Sequence, residues 1–332
     1  MAHSPRVRLP AKILGVGQVF VGAERSTLDL AARCLPDRDP EDLVRRTGIA
    51  TRRWVEPGER AAELAARAVR VALERAGLPP TGLRRLIFVT STGGDRLIPA
   101  NANEVIALLG ADGACDCFDL NNACMGFLTA LDLAARSVCT GLGPVCVVVC
   151  ETLSRFLTPT DPRPYLVLAD AAVALLLGED PSGDGGVLSV ALANHGALRG
   201  SVTLEHPGLT GRPEHITFAA SRDDLTALAT EALGTMARRV LEDAGLTLEE
   251  VQWVCPHQPN GTMLERIISD LGVDPSRVVQ VVREVGSVGA ASIPLALERL
   301  WSQGRVRRGD RILMVGVGAG MASGAVLFQV AP

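Results

Sequence analysis

Aromatic side chains are scarce in this chain of 332 residues: seven Phe, three Trp and one Tyr. Stacking platforms for nucleic-acid bases need such rings, and a net charge of −4 offers no basic footprint either. No stretch approaches the ~20 uninterrupted apolar residues of a membrane span. Behind Met1-Ala2-His3-Ser4-Pro5-Arg6 there is no apolar h-region, so no secretory signal is expected. Nucleic-acid and membrane partners are thereby excluded, and a cytoplasmic protein is expected.

None of the eight cysteines forms a Cys-x-x-Cys pair, and no His stands at zinc-finger spacing, so no metal is expected. A disulfide framework is equally unexpected in a cytoplasmic chain of this size. Most of the eight, including Cys115, Cys117, Cys146 and Cys150 in strand-like segments, are expected to be buried and inert. Cys124 is the exception, for reasons of context.

What the chain has is ordinary globular composition, 47% apolar and 21% charged, with material for one large or two fused domains. It also repeats itself, at an offset of 162 to 168 residues. Leu73-Glu74-Arg75-Ala76-Gly77-Leu78 returns as Leu241-Glu242-Asp243-Ala244-Gly245-Leu246. Apolar strands are expected after each, at 86–89 and 251–254, and then helices at 103–110 and 265–272 that end in Leu-Gly. Ala123-Cys124 answers Ala291-Ser292, and the apolar run 145–149 answers 312–315. Helices alternating with β-branched runs argue α/β layers. The halves are set at 1–175 and 176–332. Residues 178–213, rich in Gly, Asp and Pro, are expected to be irregular, with His195 and His206 on the surface.

Asp119-Leu120 ends a strand, and Phe127, Leu128, Leu131, Ala135 and Val138 have helical spacing. Cys124 thus falls at a strand-to-helix turn, where backbone N–H groups and the helix dipole are expected to lower its pKa. His257 emerges from the strand at 251–255, at the end where α/β proteins put their sites. A thiol and an imidazole are the minimum equipment of covalent acyl transfer.

The string Ala123-Cys124-Met125-Gly126-Phe127, then His257-Gln258-Pro259-Asn260, then Gly286-Ser287-Val288-Gly289-Ala290-Ala291-Ser292-Ile293-Pro294, resembles the β-ketoacyl-ACP synthase III branch of the thiolase superfamily. The resemblance implies a five-layer αβαβα fold built from two duplicated halves. It makes Cys124 the acyl-accepting nucleophile, and His257 the base or acid and donor to the thioester carbonyl. The run ending Gly318-Ala319-Gly320 is implied to supply one oxyanion N–H, the other being the amide of Cys124. It also implies a homodimer whose acyl pocket borrows a residue from the partner subunit, here Ile98.

Several positions depart from the family pattern. Ser287 stands where the family carries its third catalytic residue, an Asn, and offers one hydroxyl on a shorter arm. Asp42 stands where the family stacks a Trp on the adenine of CoA. Arg46 remains a candidate phosphate contact and Asn260 a candidate substrate contact. Basic residues that dock a carrier protein are thinned to Arg266, and the expected Arg after Asp161 shifts to Arg163. The resulting expectation is an acyltransferase that loads Cys124 from acyl-CoA or an acyl carrier protein and passes the acyl group to a hydroxyl, amine or carrier thiol, with no separate cofactor. The alternative is a decarboxylating synthase that condenses the acyl group with a malonyl thioester.

Overall fold

A computed structural model describes residues 8–211, 214–219 and 222–331, with the side chains of 222–228 left aside. Met1 to Arg6 and Pro213, which carry two of the expectations above, lie outside the described residues.

Two sheets organise the molecule. The first holds β1 (Lys12–Val19), β2 (Arg85–Val89), β3 (Asp116–Leu120), β4 (Val145–Thr152) and β5 (Asp170–Gly178), in the order β1-β5-β4-β2-β3. The second holds β6 (Gly186–Asn194), β7 (Trp253–Pro256), β8 (Arg311–Gly318) and β9 (Ala322–Gln329), in the order β7-β8-β9-β6. β2 runs parallel to β4 and β4 antiparallel to β5; β7 runs parallel to β8 and β8 antiparallel to β9. The repeat in the sequence is therefore a repeat of strand pairing. The counterpart of β3 in the second half has shrunk to one parallel bridge, Val254 to Val278.

Helices fill three further layers. α1 (Ala61–Ala76) and α2 (Asn101–Leu109) cover the outer face of the first sheet, and α4 (Arg222–Ala244) and α5 (Gly261–Leu271) that of the second. Between the sheets lie α3 (Gly126–Cys139) and α6 (Ser292–Ser302). One apolar cluster runs through this middle layer, from Val147 and Val149 across Phe127, Leu128 and Leu131 to Met314 and Val326. Burying each such side chain contributes about 1.5–3 kcal/mol before chain entropy is counted. The result is the five-layer αβαβα arrangement. Left-handed glycines at 110 and 272 end α2 and α5, where the Leu-Gly pairs led one to expect a stop, and Gly77 ends α1 in the same way.

Two expectations need correction. The stretch 178–213 contains β6, nine residues paired to β9 along nearly its full length. Its Gly, Asp and Pro residues flank the strand, and the pairing partner lies over a hundred residues downstream, out of reach of local propensity. Of the eight cysteines, all unpaired, only Cys146, Cys150 and Cys255 are buried, and Cys139 is exposed. Cys115 and Cys117 are half-buried because β3 is an edge strand with a neighbour on one side only. His195 and His206 are exposed.

Candidate active site

Cys124 sits in a 3-10 turn, Ala123–Met125, between the end of β3 and the start of α3. Ala123 takes φ of +45°, a left-handed bend at which a side chain is strained, and the Asn121 side chain accepts its N–H at 3.0 Å. The bend turns the thiol into a cavity of about 770 Å³. His257 enters the same cavity from the end of β7, its backbone N–H donating to Val315 at 2.8 Å. Ser287 enters from the loop before α6.

Two glycines on one face of β8 bring these groups together. A Cβ at Gly318 would lie 2.8 Å from the Cβ of Cys124, and one at Gly316 would lie 2.9 Å from the Cβ of His257. The strand can therefore lie directly against both residues. Past Gly318 the chain turns through Ala319 and Gly320, and the N–H groups of Ala319 and of Cys124 itself both favour a negative charge at the sulfur. This pair of amides is what an oxyanion hole needs.

Burial and the nearby carboxylate of Glu151 outweigh those amides and push the Cys124 thiol up to about 12. The expected lowering by the helix end is thus reversed, because Cys124, though partly open to the cavity, is surrounded by protein rather than set at a solvated terminus. Burial also pushes His257 down to about 4, leaving a neutral imidazole at pH 7 with one N–H and one acceptor nitrogen. Its Nδ1 is buried with no hydrogen-bond partner among the described residues.

Ser287 is held by backbone pairing on both sides: its N–H donates to Val167 at 2.8 Å, and its carbonyl accepts from Ala169 at 2.9 Å. Buried Arg52 braces that segment by donating to the carbonyl of Leu166 at 2.6 Å. Gln258 was not singled out in the sequence, although it adjoins His257. It is fully buried, accepts the N–H groups of Val281 and Val282 through Oε1, and donates to Val279 through Nε2. It fixes the loop that carries His257 to the segment leading to Ser287.

The remaining candidates line the mouth or lie away from it. Arg46 faces the cavity, but Asp42, at the position where the family has Trp, accepts from its Nε at 2.6 Å. Asn260 lines the cavity while its side chain caps α5, accepting from Met263 at 2.8 Å. Arg163 lies over the ring of Phe218 at 5.0 Å, and Arg266 pairs with Asp270. Ile98 is outside the cavity lining of its own chain and 87% exposed, next to Leu97 at 71%. Leu153, Leu168, Leu204, Ile216 and Phe218 form an apolar wall suited to an acyl chain or the pantetheine arm of a thioester.

Comparison with known proteins points to one family and one fold. Residues 118–196 match the family model described as 3-oxoacyl-[acyl-carrier-protein (ACP)] synthase III, and residues 241–330 match that of its C-terminal part. Beta-ketoacyl-[acyl-carrier-protein] synthase III of Sphingopyxis alaskensis is 35% identical, over 96% of this chain and 99% of the relative. The 3-oxopimeloyl-[acyl-carrier-protein] synthase of Rhodothermus marinus is 36% identical, over 96% and 93%. The crystal structure of 3-oxoacyl-[acyl-carrier-protein] synthase III from Aquifex aeolicus superimposes with a TM-score of 0.88 at 31% identity, covering 96% of this chain and 99% of that one.

Proposed function

Since this chain belongs to the 3-oxoacyl-[acyl-carrier-protein] synthase III family of enzymes, we propose that it is a decarboxylating β-ketoacyl synthase for chain building of the fatty-acid or polyketide kind. An acyl thioester of CoA or of an acyl carrier protein enters with its carbonyl carbon at Cys124. The sulfur attacks that carbon, the bond to the donor sulfur breaks, and the thiol proton leaves with the donor. A malonyl thioester then loses its carboxylate as CO2, and the electron pair left behind forms a carbon–carbon bond to the acyl carbon. The Cys124 sulfur departs and takes a proton from water, since the decarboxylative condensation consumes one proton. Charge on the acyl oxygen meets the amides of Cys124 and Ala319, while charge on the malonyl thioester oxygen meets the N–H of neutral His257 and the hydroxyl of Ser287. CoA and the carrier protein act as substrates, and no further cofactor is invoked.

One observation carries this reading: Cys124, two convergent amides and His257 share one apolar cavity. Incubation with acyl-CoAs of increasing length, followed by peptide mapping, should find the acyl group on Cys124 and should lose it in Cys124→Ala. An adduct on another cysteine would overturn the assignment.

Ser287 favours a second reading. With one short donor where the family has an amide, the enolate is less well held, and transfer of the loaded acyl group to a hydroxyl, amine or carrier thiol becomes competitive, with His257 as base. The relatives are named for condensation, which puts the synthase reading first. We also infer a homodimer in which Ile98 caps the partner's acyl pocket; the exposure of Leu97 and Ile98 supports it.

A further inference from the structure

Glu151 is a carboxylate that the proposed reaction leaves without a role. It follows six apolar residues at 145–150 near the end of β4 and is fully buried. Its Oε1 accepts the hydroxyl of Ser91 at 2.6 Å and the N–H of Ala290 at 3.1 Å, and its Oε2 accepts the N–H of Ser91 at 3.0 Å. Ser91 and Gly289 are walls of the Cys124 cavity, and a Cβ at Gly289 would lie 2.9 Å from Oε1. The carboxylate therefore stands one layer behind the cavity surface.

None of the hydrogen bonds to Glu151 among the described residues comes from a cation, and no described ion pair involves it. The titratable groups around it are Cys124 in front, Cys150 beside it in the chain and Asp170 on the neighbouring β5, with Asp95 and Arg155 beyond. His257 lines the same cavity. A buried carboxylate with only neutral donors is costly unless it is retained for its charge or its geometry.

We propose that Glu151 is a positioning residue for Cys124: it ties the Ser91 rim to the Ala290 turn behind the thiol, and its negative charge, when present, adds to burial in opposing the thiolate. The inference rests on Cys124 being the nucleophile of the proposed synthase. Burial brings Glu151 to about 7, so its charge changes near neutral pH. Above that pH the carboxylate opposes the thiolate; below it the opposition disappears. A resting thiol kept neutral reacts less with stray electrophiles.

The test is alkylation of Cys124 by iodoacetamide, followed by fragment mass spectrometry in wild type and Glu151→Gln across pH 5.5–9.5. This readout needs no acyl donor, so it stands or falls separately from the choice of reaction. The Gln variant should alkylate about tenfold faster than wild type above pH 8, as removing a nearby like charge requires. The ratio should fall towards one below pH 6, where wild-type Glu151 is itself neutral. A merely structural carboxylate gives a ratio that does not change with pH, and that result overturns the proposal. If Glu151→Gln does not fold, Ser91→Ala keeps the carboxyl group but removes its shortest donor. It should raise the Glu151 pKa and speed alkylation near pH 7; unchanged or slower alkylation counts against the charge role.

Discussion

Gly318→Ala isolates the close approach on which the site depends. Gly318 has φ of −146°, extended backbone that alanine adopts freely, so the substitution carries no conformational penalty. Its cost is contact. The new methyl would lie 2.8 Å from the Cβ of Cys124 and 3.1 Å from the Cys124 nitrogen, where ordinary contact begins near 3.4 Å. Either the Cys124 turn or the Ala319 turn must retreat by roughly 0.6 Å, and overpacking of this kind costs about 1–3 kcal/mol. A retreat of that size separates sulfur from the Ala319 amide, and misplacements near 1 Å cost about 10²-fold in rate. Loading of Cys124 from an acyl thioester, followed by intact-mass stopped-flow sampling, should therefore slow by about 10- to 100-fold, with a modest loss in melting temperature. Gly196→Ala is the control, since a Cβ there meets nothing within 4 Å and its φ is not in the left-handed range. Wild-type loading by Gly318→Ala would refute the reasoning, because the strand would then not be what fixes the amide against the thiol.

Two further outcomes follow from the site. Ser287→Asn should raise CO2 release from malonyl thioesters by up to about 10²-fold, the value of one well-aimed donor, while acyl loading of Cys124 changes little; brisk release by wild type with no gain in the variant would show that the hydroxyl suffices. Ile98→Asp should move the protein towards monomer in sedimentation and slow loading in parallel, whereas a fully active monomer would sink the shared-pocket inference.

The strings around Cys124, His257 and Ser287, which the structure brings to one cavity, were legible because each is local. Cys124 announces itself by a strand end, a small-residue turn and helical spacing after it, all within the twenty residues 119–138. The duplication was legible for the same reason, as five short matches in one order. What could not be read locally depends on partners far along the chain. Glu151 looks like a polar strand end, and its partners Ser91 and Ala290 stand 60 and 139 residues away. The strand β6 is defined by its pairing with β9 rather than by its flanks. The thiol of Cys124 went up rather than down because a helix-end argument counts dipoles and omits desolvation, the larger effect here.

The departure at Ser287 can be narrowed by the same reasoning. Its backbone is tied to Val167 and Ala169, that segment is braced by Arg52, and the turn beyond it is held by Glu151 through Ala290. Gln258 joins this loop to the one bearing His257. Every tie is made by the backbone or by a residue other than Ser287, so none depends on which side chain Ser287 carries. A scaffold of this kind would present an amide as readily as a hydroxyl from the same Cα. The two reactions weighed above then differ in the reach of one side chain, not in the fold around it. On the proposed reading, the choice between condensation and simple transfer then rests on whether the side chain at 287 reaches the thioester oxygen beside His257.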